Sequence, residues 1–177
     1  LIYFDQQKIG EALAASGLKR TDLFITSKIP ICEPLTARWA VESDLNRLNV
    51  SYIDLMLIHA PIGLPGACPK TWKVLEKLVA EGKLRAIGVS NFNKEQMSRI
   101  MKSAKIPIAV NQIEYNPFVH DEETILFCHA NNISVEAWSP LNGGHGGKSV
   151  FSDPTITSIA TAHNVSAAQV ALRWIVQ

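Results

Sequence analysis

The chain has 177 residues, of which 47% are apolar and 19% charged, and its formal net charge is +1. That length fits one domain, and the apolar share supports a sizeable core and excludes a disordered chain. Near-neutral charge with scattered basic residues excludes nucleic acid and anionic membrane surfaces as partners, and no apolar run approaches the ~20 residues that cross a bilayer.

In chain order, residues 6–17 (QQKIGEALAASG) read as a helix, with Ile9, Ala12 and Leu13 on one face and Gly17 as its C′ residue. DLFITSK follows as a buried strand. TARWAVESDLNRLN is helical, with Val41, Leu45 and Leu48 at i, i+4 and i+7. DLMLIH is the next strand. KTWKVLEKLVAEG is a helix that buries Trp72, Leu75, Leu78 and Val79 and stops at Gly82. RAIGVSNF is a strand, and Asn93 with Gln96 forms a capping-box start for NKEQMSRIMKSA. IAVNQIEY is a strand, EETILFCHAN a helix entered through Asp121, and ISVEAWSP a strand. After the loop NGGHGGK, Asp153 and Pro154 stand as N-cap and N1 of a helix, and Ser166 with Gln169 opens the last one.

Continuous apolar strands alternating with amphipathic helices mean a parallel sheet covered by helices. No GxGxxG follows any strand, which argues against a doubly wound dinucleotide-binding fold. Several strands instead end in polar residues: Lys28, His59, Ser90 and Asn91. Chemistry gathered at the C-terminal ends of many strands is the habit of a (β/α)₈ TIM barrel. About five strands are visible, so the expected barrel is incomplete. The chain begins with Leu1, and SAAQVALRWIVQ ends within a helical pattern. The expectation is a single domain, residues 1–177, truncated at both ends, with no signal peptide in view. Cys32, Cys68 and Cys128 are odd in number, widely spaced and without a CxxC pair. They read as free reduced thiols of a cytoplasmic protein. His120, His129, His145 and His163 show no metal-ligand spacing and read as surface or loop residues, so no metal site is expected.

The ordered set FITSK, LIHAP, GVSNFN, VNQIEY and AWSPL, entered through YFDQQKIG, closely resembles the aldo-keto reductase family over essentially the whole chain. Singly, a tyrosine near a chain start, a strand-end lysine or a lone histidine reads as structural or solvated. The order and spacing of the whole set carry the resemblance. It implies an NADP-dependent oxidoreductase that reduces aldehydes or ketones to alcohols. Tyr3 matches the general acid, Lys28 the lysine beside it, and His59 the histidine that orients the substrate carbonyl. Ser90, Asn91 and Gln112 match residues that bond the nicotinamide carboxamide. Trp138 stands where the family stacks an aromatic on the nicotinamide ring. Ser139, Leu141, Asn142 and Gly143 match the segment along the pyrophosphate.

The physics of that assignment is coherent. A phenol with a pKa near ~10 is a weak acid at neutral pH, and an adjacent ammonium lowers that pKa. A histidine N–H can stabilise the developing alkoxide.

The departures from the family matter too. The family's aspartate five residues before the tyrosine would precede Leu1, and its last strand, with the 2′-phosphate-binding residues, is absent. The resemblance implies NADPH as the cofactor, and the absence of the 2′-phosphate-binding segment leaves NAD open. Ala60 follows His59, and Ile29 and Pro30 follow Lys28, where many members carry tryptophan; both changes should reshape the substrate pocket. The expected partner is a small carbonyl substrate, the expected whole protein a monomer, and the 177 residues alone are expected to be inactive. Two other readings fit the same sequence: a non-catalytic, nucleotide-binding regulatory or structural member of the family, and a barrel enzyme acting on a phosphorylated substrate.

Overall fold

The computed structural model describes residues 5–141 and 149–177. Five strands form one parallel sheet in the order β1-β2-β3-β4-β5: β1 Thr26–Ile29, β2 Ile53–Ile58, β3 Leu84–Ser90, β4 Val110–Glu114 and β5 Ser134–Trp138. Strand order follows chain order, as in a barrel wall. A doubly wound sheet reverses direction at a switch point. The helices are α1 Gln6–Ala15, α2 Ala37–Leu48, α3 Ala67–Ala80, α4 Lys94–Met101, α5 Glu122–Ala130, α6 Pro154–His163 and α7 Ala167–Ile175.

Local chemistry sets most of these boundaries. Asn93 and Gln96 satisfy each other's backbone N–H groups at the start of α4, and Ser166 and Gln169 do so at α7. Asp153 accepts from the N–H groups of Thr155 and Ile156, with Pro154 as the first residue of α6. Three expectations need correction. DLFITSK is not a buried strand throughout: Arg20–Asp22 forms a 3-10 turn, Phe24 is 73% exposed, and β1 begins only at Thr26. Helix α3 begins at Ala67, three residues before the predicted start, because Gly66 at φ 76° turns the chain and Pro69 fits in a first helical turn. On α1, Ile9 is 42% exposed and Ala12 is exposed, whereas Gln6 and Gly10 are buried. Gly10 is the reason: a Cβ there would stand 2.5 Å from the Arg47 carbonyl oxygen, so α1 meets α2 backbone to backbone.

The main core lies between the sheet and its helices. Met56, Ile58, Ile87 and Val89 point outward from the strands against Val41, Leu45, Leu75, Leu78, Met97 and Ile100. A smaller cluster joins Val150, Ile156 and Ala171 to Phe118 and Leu141.

The cysteine expectation is overturned for two of the three. Cys32 and Cys68 form a disulfide, and only Cys128 is a free thiol, buried in the core. The 36-residue separation hid the pairing: the connection after β1 meets the first turn of α3, with a Cα–Cα distance of 4.7 Å.

At the N-terminal end of the sheet, Asp54 is 7% exposed. It accepts from Arg20 Nη2 at 2.5 Å and from the Ile25 N–H at 2.9 Å, with Arg85 Nε 3.9 Å away. The Tyr52 ring lies under both guanidiniums, at 3.8 and 3.9 Å. Burial pushes the Asp54 carboxyl up, but the Ile25 and Arg20 bonds and the Arg85 charge outweigh it and hold the carboxyl below its usual range. A depressed folded-state pKa gives stability that is present above the unfolded value near ~3.9 and lost as pH falls through the folded one. Asp54→Asn should therefore cost about 1–3 kcal/mol at pH 7, and that difference should shrink in acid. Urea unfolding of both proteins across that range measures it.

Candidate active site

Strand register decides which strand-end side chains meet. Lys28 pairs with Leu57, and Leu57 with Gly88. Ser90 pairs with Gln112, Gln112 with Glu136, and Glu114 with Trp138. Register partners face the same side of a sheet, and alternate residues along a strand return to that side. His59 lies two residues beyond Leu57, and Ser90 two beyond Gly88. Lys28, His59, Ser90, Gln112, Glu136 and Trp138 therefore share the face opposite the helices.

Backbone bonds hold this rim. The His59 N–H donates to the Ile29 carbonyl at 2.8 Å, and the Asn91 N–H to the Gln112 carbonyl at 2.9 Å. Asn91 adopts the left-handed conformation at φ 62°, which asparagine tolerates better than most residues. Its Nδ2 donates to the His59 carbonyl at 2.9 Å and to Ser90 Oγ at 3.1 Å, and its Oδ1 accepts from Trp138 Nε1 at 2.9 Å. One amide thus ties together the ends of β2, β3 and β5. Ser90 is fully buried, while Lys28, His59, Gln112 and Trp138 are half-buried.

Burial pushes the His59 pKa down, and the neighbouring Lys28 charge pushes it further the same way. At neutral pH the imidazole is uncharged, with one N–H donor and one acceptor nitrogen. The histidine that the sequence singled out therefore stands beside Lys28, on the same face.

Sequence reasoning missed Glu136. It is exposed on the rim face, and its Oε1 accepts from Gln112 Nε2 at 2.5 Å. The available signal was period-2 spacing from Trp138, which puts both on one side of β5. Sequence reasoning also passed over Gly88, beneath Ser90. A Cβ there would stand 2.6 Å from the Val110 carbonyl oxygen and 2.7 Å from Leu57 Cδ2. Gly88→Ala must push β4 away, at a cost of about 1–3 kcal/mol. It should also displace Gln112, two residues on from Val110 along β4, and a melting curve of the variant beside the parent should show the loss.

Of the other residues assigned from sequence, Ser139 is half-buried at φ 49°, and Leu141 packs on the smaller core cluster. Tyr3, Asn142 and Gly143 lie outside the described residues. So does His145; His120, His129 and His163 are exposed, and His120 packs edge-on against Trp174 with ring centroids 5.0 Å apart. Among the described residues no group of three His, Cys, Asp or Glu is placed to hold a metal, and no helix is long and apolar enough to cross a membrane.

The rim chemistry fits the nicotinamide end of a cofactor. Ser90, Asn91 and Gln112 supply the donors and acceptors that a carboxamide needs, and the Trp138 indole offers a flat ring beside them.

Comparison with known proteins gives a consistent result. The model of the aldo/keto reductase family matches residues 3–177. Glyoxal reductase of Bacillus subtilis is 40% identical over 178 residues, covering 99% of this chain and 62% of that protein. The crystal structure of an aldo-keto reductase from a Medee basin deep-sea metagenome library superposes with a TM-score of 0.91 at 35% identity, over 99% of this chain and 64% of its own. That of a Bombyx mori aldo-keto reductase in complex with NADP gives a TM-score of 0.86 at 32% identity, over 99% and 63%. The chain therefore spans about 62% of the length of the curated relatives it matches, and its five strands are part of a (β/α)₈ barrel.

Proposed function

Because this chain belongs to the aldo/keto reductase family, we propose that the whole protein reduces small aldehydes and ketones to alcohols with NADPH. One observation carries the reading: Lys28 and His59 stand together on the rim face that also holds Ser90, Gln112 and Trp138. In this reading the nicotinamide supplies hydride when bound, and the protein's groups do the rest. Ser90, Asn91 and Gln112 orient the carboxamide, and Trp138 covers one face of the ring. Ser139, Leu141, Asn142 and Gly143 follow the pyrophosphate.

The neutral His59 imidazole donates its N–H to the substrate oxygen and fixes its direction. Tyr3 gives the proton to that oxygen as charge develops, and the Lys28 ammonium makes the phenol a stronger acid. NADP is preferred to NAD by analogy with the Bombyx mori complex. The whole protein is a cytoplasmic monomer, of which this chain is a part. Residues 1–177 alone do not turn over, because among the described residues β1 and β5 each pair on one side only and such open edges favour aggregation.

The test is NADPH oxidation by the whole protein against a panel of aldehydes and ketones. Oxidation that depends on carbonyl supports the reading. Tight NADPH binding without oxidation would replace it with a non-catalytic nucleotide-binding role. The absence of any NADPH binding would favour a barrel enzyme for phosphorylated substrates.

A further inference from the structure

We propose that Cys32–Cys68 is a thiol–disulfide exchange site, opened at Cys68 by a small anionic thiol, that controls the rim loop between His59 and Ala67. The bond joins the connection after β1 to the second residue of α3. The loop it brackets begins at His59, whose N–H is fixed to the sheet. Its first residues lie on Cys32: the Cys32 N–H donates to the Ile62 carbonyl at 2.8 Å, and a Cβ at Gly63 would run into the Cys32 carbonyl oxygen. Ile62 and Leu64 are 62% and 79% exposed, so little core packing holds the outer part of this loop. At its far end Ala67 is buried and its N–H donates to the Leu64 carbonyl at 2.9 Å, and the disulfide ties that end to the connection after β1.

The two sulfurs are not equivalent. Cys32 is 1% exposed, whereas Cys68 is only half-buried. Cys68 lines a cavity of about 150 Å³ together with Pro61, Leu64, Gln96 and Arg99. A thiolate enters there and attacks Cys68 Sγ. A new S–S bond forms to the incoming thiol, the Cys32–Cys68 bond breaks, and Cys32 leaves as a thiolate that takes a proton from water. A second thiolate then attacks the mixed disulfide, leaving reduced Cys68 and an oxidised thiol dimer. The freed Cys32 thiol has an acceptor in place, since its Sγ lies 3.9 Å from the Ala60 carbonyl oxygen. Arg99 places positive charge at the cavity and favours a carboxylate-bearing thiol. Disulfides are rare in the cytosol, and those present there are typically transient and redox-sensing, which is the behaviour proposed for this one.

The experiment exposes the folded whole protein to reduced glutathione and, separately, to uncharged 2-mercaptoethanol, and follows intact mass and peptide maps. The expected product is a glutathione adduct on Cys68 and none on Cys32 or Cys128. Arg99→Ser should slow the glutathione reaction about fivefold and leave 2-mercaptoethanol unaffected. Amide hydrogen exchange over residues 60–67 should rise on reduction of the wild type and be raised in Cys68→Ser without any reductant. Adduct formation only after unfolding, an adduct first on Cys32, or unchanged exchange in this loop would each overturn the proposal. The consequence for turnover rests on the function proposed above: KM for carbonyl substrate rises on reduction while NADPH affinity holds. The mass and exchange results stand without any turnover, so a failure of the reductase reading is distinguishable from a failure of this one.

Discussion

Lys28→Met in the whole protein is expected, on the function proposed above, to lower kcat for carbonyl reduction by about 10²–10⁴-fold, and Tyr3→Phe by a comparable factor. The two losses differ in kind. In that mechanism Tyr3→Phe removes the acid, so the residual rate should lose the basic limb of its pH profile. In the proposed mechanism Lys28→Met keeps the phenol but removes the charge assigned to strengthen it as an acid. Reduction needs the protonated phenol, so the rate falls as pH rises through its pKa. A phenol without a neighbouring ammonium titrates near ~10, and one beside an ammonium titrates lower. The basic limb of the pH–rate profile should therefore shift to higher pH while the plateau falls. NADPH affinity should stay nearly constant in both variants. Steady-state kinetics from pH 6 to 10 measures all of these together; a Lys28→Met profile with an unmoved limb would remove lysine from the proton-transfer step.

The largest stability effect is expected at Trp72. Its side chain is 1% exposed within the main core, and Nε1 donates to the Ile106 carbonyl at 3.2 Å. One helical turn on, Glu76 Oε1 accepts from the N–H groups of Lys105 and Ile106, at 2.5 and 2.9 Å. Helix α3 thus grips the connection that delivers β4. The grip matters because β4 meets β3 at only two register positions, Val89↔Asn111 and Ser90↔Gln112. Trp72→Ala should cost about 3–5 kcal/mol through the cavity and the lost contacts. Trp72→Phe, which keeps most of the ring, should cost less. Denaturant midpoints at fixed slope give both values. On the function proposed above, the alanine variant should also bind NADPH more weakly, because Gln112 rides on β4.

Capping chemistry explains why so much of the fold was legible. Asn93 with Gln96, Asp153 with Pro154, and Ser166 with Gln169 announce helix starts by local hydrogen bonding, and those starts lie where predicted. The strands were legible because apolar runs such as LMLI are too short for helices and are bounded by polar strand exits. What stayed hidden depends on tertiary approach. Gly10 turns α1 by letting two backbones touch, and no periodicity of side chains encodes that. The Cys32–Cys68 bond spans 36 residues, and only the fold brings its ends together. Lys28 and His59 were recognisable as strand-end residues, but their shared face follows from register, which the sequence carries only weakly. Glu136 was overlooked for the same reason.

The central claim is that this rim directs hydride from nicotinamide to a carbonyl carbon. The most direct measurement supplies the whole protein with NADPH deuterated at the transferable C4 position and an aldehyde substrate, then locates the label in the product. The account predicts an alcohol carrying a single deuterium on its carbinol carbon, added to one face, with the hydroxyl proton drawn from the protein and solvent. Deuterium lost to water, or an aldehyde left unchanged while NADPH stays bound, would contradict it.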